Sequence, residues 1–125
     1  MKKLFTFALL VLFSISAEAV YLVATDEQVK ELIESGKLNP TEQTMRLCTG
    51  KANYAGILVY DRENDTLEKM LKFTEVQYYA VPEKDRAPLV VYTDTVRMVR
   101  DAYKTKKTPK EFAEHEFYHC LYNGY

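Results

Sequence analysis

His115 and His119 are the only two histidines of the chain, and they stand in the run His115-Glu116-Phe117-Tyr118-His119. On a helix, residues four apart lie about one turn apart, so both imidazoles leave the same face and can chelate one ion. Glu116 follows the first histidine, where its carboxylate can reach a metal-bound water without being a ligand itself. Two neutral nitrogen donors beside a free carboxylate are what zinc-assisted hydrolysis requires. The spacing therefore names His115 and His119 as candidate ligands of one Zn2+ ion and Glu116 as the candidate catalytic base.

The helix that must carry these residues is well marked at both ends. Thr108 is a natural N-cap, Pro109 suits the first helical position, and Glu111 completes a capping box. Asn123-Gly124 supplies the stop. At 100° per residue, Phe112, His115, Glu116 and His119 share one side, while Ala113, Phe117, Cys120 and Leu121 form an apolar stripe on the other. The expectation is a helix anchored through that stripe with its histidines turned toward a cleft. Tyr118 and Tyr122 flank the ligand face as possible oxyanion donors, although helix-flanking tyrosines more often serve packing.

From Phe112 to Leu121 the chain resembles the zincin metallopeptidases, whose extended signature wants uncharged residues around the His-Glu pair and the second histidine. Ala113, Phe117, Tyr118 and Cys120 are uncharged here, and Leu121 is apolar. The resemblance implies an α+β fold: a small mixed or antiparallel sheet packed against helices, with a C-terminal active-site helix. It implies His115 and His119 on zinc, with Glu116 taking a proton from the bound water and returning it to the leaving amine. A peptide or protein substrate would lie along an edge strand, 88–93 or 55–60, in the envelope or outside the cell. The third ligand departs from the family pattern. Tyr122 and Tyr125 stand at the offsets where one group of zincins has glycine and then histidine or aspartate. Candidates for the missing donor are Tyr125, the terminal carboxylate, or an upstream Asp94 or Asp101, a carboxylate being the easier partner for zinc.

The remaining elements are read from shorter patterns. Thr25 or Asp26 caps a helix over 27–35 that Gly36 ends. Strands are expected at 20–24, 44–49, 55–61, 75–81 and 88–93, the run 67–73 fits either period, and Asp94 caps a short helix bearing Val96, Val99 and Tyr103.

Residues 1–19 read as an export signal: Lys2 and Lys3, an apolar run from Leu4 to Phe13, and Ala17-Glu18-Ala19 as the cleavage site. The apolar run is too short to span a bilayer, so no membrane anchor is expected after cleavage. The expected mature chain, 20–125, is one domain that is secreted or periplasmic. Its 15 basic and 17 acidic side chains argue against a nucleic-acid partner. Cys48 and Cys120 form an even pair, which in an oxidising compartment is usually a disulfide, a thiolate zinc ligand being the alternative.

Two other classes fit the same residues. One is a non-catalytic exported binding or inhibitor protein that engages its partner through tyrosine-rich strands, ten tyrosines being available. The other is a degenerate zincin holding a metal for structure only.

Overall fold

A computed structural model of the chain describes residues 24–125. The export signal over 1–19 and most of the 20–24 run lie outside the described residues. Among the described residues five helices follow one another: α1 (Asp26–Glu34), α2 (Glu42–Asp61), α3 (Leu67–Ala80), α4 (Leu89–Lys104) and α5 (Pro109–Asn123), with a 3-10 turn at Glu83–Asp85 before α4.

The α+β expectation is corrected here, since the described residues contain no strand. The segments 44–49 and 55–61 are consecutive turns of α2, 75–81 is mainly the second half of α3, and 88–93 runs into α4. The physical reason is that a seven-residue apolar run satisfies a period of 2 and a period of 3.6 about equally. Over its whole length α2 shows the helical period, burying Cys48, Ala52, Ala55 and Val59 at i, i+4, i+7 and i+11. Threonine caps settle the starts. Thr41 accepts from the Thr44 N–H, and Thr66 from the Lys69 N–H, each satisfying a free helix donor. The β-favouring Val, Ile and Tyr residues are carried by helices whose stability comes from packing rather than propensity. Residues 67–73 are likewise helical, and Pro82 ends α3 by holding Val81 extended.

Helix α5 lies along α2 and packs tightly against it at Gly56. A β-carbon added there would stand 3.3 Å from the Pro109 carbonyl oxygen and 3.5 Å from Ala113 Cβ. One core cluster joins α2, α4 and α5 through Leu58, Val59, Met98, Val99 and Phe112. A second joins α1, α2 and α5 through Val29, Leu121 and the Cys48–Cys120 disulfide, whose Cα atoms are 5.5 Å apart. In the chain-entropy model this crosslink stabilises the fold by about 4 kcal/mol, a large share for so small a domain. Arg62 extends from the end of α2 and donates to the carbonyls of Ala102 and Thr105, both at 2.7 Å. That closes the C-terminal end of α4, where carbonyls lack helical partners.

α3 is held differently. It packs chiefly on α4, and Thr74 is its only buried residue. Tyr78 stacks on Tyr92 with ring centroids 4.6 Å apart, while Phe73 and Val76 stay half in water. The α3–α4 hairpin thus leaves apolar surface that the other described residues do not cover.

Candidate functional site

The α5 caps form as the sequence requires. Thr108 and Glu111 make a reciprocal capping box, Pro109 occupies the first turn, and Gly124 takes the left-handed conformation (φ 84°) that ends the helix. The division of its faces differs from the expected one. Phe112, Glu116 and Cys120 form one buried ridge at i, i+4 and i+8, with Leu121 beside it. Glu116 therefore points into the protein rather than into a cleft, and its side chain is 0 % exposed.

What meets Glu116 is Arg97 of α4. The guanidinium donates through Nη2 to Oε1 at 2.7 Å and through Nη1 to Oε2 at 3.1 Å, a two-point pairing of fork and carboxylate. Arg97 also donates through Nε to Asp94 at 3.0 Å and through Nη1 to Asp101 at 2.9 Å. Asp94 is paired in turn with Lys51 of α2, whose ammonium also donates to the Tyr125 carbonyl at 3.0 Å. Two cations and three carboxylates thus link α2, α4 and α5, from the buried Glu116 out to the half-exposed Asp101. Burial opposes ionisation of Asp94, but hydrogen bonds from Arg97 and Lys51 outweigh it and hold its carboxyl below the usual range. Burial likewise opposes the charge on Arg97. Glu116 and Asp94 reverse that effect and keep the guanidinium charged.

The two imidazoles lie on one side of α5, with ring centroids 6.4 Å apart. His115 is 40 % exposed, and its Nδ1 sits 3.2 Å from a carboxylate oxygen of Asp26 at the start of α1. His119 is half-buried beside Asn123, and its Nδ1 is buried with no hydrogen-bond partner. Burial, reinforced by Arg97 and Lys51 and opposed by Glu116 and Asp94, pushes the His119 pKa down. The neutral imidazole is therefore favoured.

The upstream donors considered for zinc are engaged elsewhere, since Asp94 and Asp101 hold Arg97, and at Tyr125 the main-chain oxygen takes Lys51. Both thiols are consumed in the disulfide. Among the described residues no group of three His, Cys, Asp or Glu side chains is placed to hold a metal ion. Two imidazoles without a third protein donor do not fit a zinc centre, which takes three protein ligands when catalytic and four when structural.

Arg97 and Lys51, the two residues that decide the state of this site, were not singled out by motif. The available signal was the spacing Asp94, Arg97, Asp101 at i, i+3 and i+7. It becomes visible only when α4 is a helix from Leu89 onward rather than a strand followed by a cap at Asp94.

A second site is a trough between α2 and α3 with α4 as its floor. Tyr54, Val91 and Thr95 are shared by two adjoining hollows of about 310 and 260 Å3. Phe73 and Tyr78 of α3 line the larger, and Leu47 of α2 and Met98 of α4 the smaller. Its charged lining residues, Lys51 and Asp94, neutralise each other. The tyrosines expected on strands are in part here, on helices.

No protein-family model, curated protein or solved structure matches the chain.

Proposed function

We propose that this chain is a non-catalytic exported binding protein that engages a protein or peptide partner through the trough between α2 and α3. The observation that carries this is the state of Glu116. A general base must reach a water proton, directly or through one water. Glu116 is fully buried, and both its oxygens accept from Arg97. Freeing it would leave an unpaired carboxylate in the interior, at a cost of several kcal/mol. The His-Glu-x-x-His helix then serves as the clamp of the fold, tied to α4 by charge and to α2 by the disulfide. The trough has the character of a recognition groove, with aromatic and aliphatic walls and a few polar groups among them. Export is supported by Lys2 and Lys3, the apolar run after them, and the crosslinked cysteines, which suit an oxidising compartment.

Metal analysis of the dialysed protein, paired with a peptide-hydrolysis assay of the wild type and Glu116→Gln, tests the assignment. Well under one zinc per chain and no turnover above blank in either protein are expected. Stoichiometric zinc, with hydrolysis that disappears in Glu116→Gln, refutes it.

A further inference from the structure

We infer that Asn64, in the turn between α2 and α3, is the acceptor of an asparagine-linked glycan. The donor is a polyprenyl-diphosphate-linked oligosaccharide, met as the chain passes through a secretory compartment. The inference rests on the export part of the reading above and leaves the partner at the trough open.

Asn64-Asp65-Thr66 has the acceptor pattern, an asparagine and a hydroxyl residue two positions on with no proline between them. The chain holds one other Asn-x-Thr tripeptide, Asn39-Pro40-Thr41, and its proline excludes it. Three residues recur by chance, so the structural context decides: the pattern requires a surface turn. Asn64 lies in such a turn, with its backbone N–H donating to the Asp61 carbonyl at 2.9 Å and its side chain exposed. The side-chain amides of Asn39 and Asn123 donate to the carbonyls of Gly36 and His119, but among the described residues nothing engages that of Asn64. Thr66 is exposed too, and its hydroxyl oxygen accepts from the Lys69 N–H at 3.1 Å, which leaves the O–H proton free to donate. Asp65 between them is the anchored residue. Its carbonyl accepts from the Tyr103 hydroxyl at 3.2 Å, and its carboxylate lies 3.5 Å from the Lys69 ammonium. The tripeptide is thus fastened at its middle while both outer residues face water.

In the transfer, Asn64 Nδ2 forms a bond to C1 of the reducing-end sugar. The bond from C1 to the diphosphate oxygen breaks, the lipid diphosphate leaves, and the amide gives up one proton. No electron acceptor is needed. A glycan is bulky and hydrated, so the folded chain must keep its attachment point in solvent. Asn64 meets that condition and is not among the residues lining the trough, which therefore stays open with the glycan in place. The Cys48–Cys120 crosslink adds an independent indication of compartment. Disulfides persist in oxidising spaces such as the endoplasmic reticulum lumen, where glycans of this kind are transferred.

Translation of the full chain with endoplasmic reticulum microsomes provides the test, protease protection marking the chains that reach the lumen. Lumenal wild type is expected to run as one discrete slower band that peptide N-glycosidase returns to the unmodified position. Asn64→Gln should abolish the slower band. Thr66→Asp should abolish it as well, although aspartate still caps α3, whereas Thr66→Ser should keep it. Band position is read whether or not a variant folds. Lumenal wild type of unmodified mobility overturns the inference, as does a slower band that survives Asn64→Gln. A parallel chain, in which the leader of a known secreted protein replaces residues 1–19, separates this inference from the export reading. Glycosylation seen only with the foreign leader removes the export reading and supports Asn64 as acceptor. Lumenal chains that stay unmodified with either leader remove the acceptor and leave export standing.

Discussion

Replacing Glu116 by glutamine separates a structural carboxylate from a catalytic one. The substitution keeps shape and one acceptor oxygen but sets an NH2 group against the Arg97 guanidinium, donor against donor. Breaking a buried ion pair by removing one partner typically costs about 3–5 kcal/mol. Arg97 keeps Asp94 and Asp101 as partners, which offsets part of the loss and places the expected cost near the lower end, about 3 kcal/mol. For a domain of this size that lowers the melting temperature by on the order of 15 °C. Urea unfolding of the oxidised protein, followed by circular dichroism at constant m-value, measures it. Pairing Arg97→Met with Glu116→Leu should cost less than the sum of the single changes, by roughly 1.5–3 kcal/mol, since the double variant leaves neither member of this pair facing an empty partner position, while Asp94 keeps Lys51. A Glu116→Gln protein within about 1 kcal/mol of wild type would refute the structural role assigned to the pair, because exposed polar changes cost no more than that.

Two further outcomes follow from the same geometry. Replacing Cys48 and Cys120 together by alanine should lower stability by about 4 kcal/mol, and thiol titration of the unfolded wild type should find no free thiol; a small change in melting temperature would show that the crosslink adds little. His119 has a depressed folded-state pKa against an unfolded value of 6.5. The unfolded state therefore binds more protons in the window just below 6.5, and stability falls as pH drops from 7.5 toward 5.5. In His119→Gln this slope in the urea midpoint should flatten.

Helix α5 was legible from sequence because everything that defines its ends is local. A threonine cap, a proline in the first turn, a glutamate three residues past the cap and a terminal glycine each act within a few residues. The same holds for α1, where Thr25 and Gln28 form the capping box and Gly36 follows the helix with φ 78°. Parts of α2, α3 and α4 (44–49, 55–61, 75–81 and 88–93) look like strands because their apolar runs are short when taken alone, whereas the helix expected after Asp94 is the later part of α4. The caps that extend them, at Thr41 and Thr66, lie in segments that otherwise look like connectors.

By itself, then, the order of residues determined where α5 begins and ends, that both histidines share a side of it, and that the two cysteines could pair. Tertiary packing alone decided which way Glu116 faces. The rotation of α5 is set by the disulfide to α2 and by Phe112 inserted among the α2 and α4 side chains, and both lock the helix so that Glu116 meets Arg97. A carboxylate next to a histidine reads the same in a motif whether it is free or paired. The partner that settles its role lies 19 positions away in sequence and comes within 2.7 Å only when two helices pack.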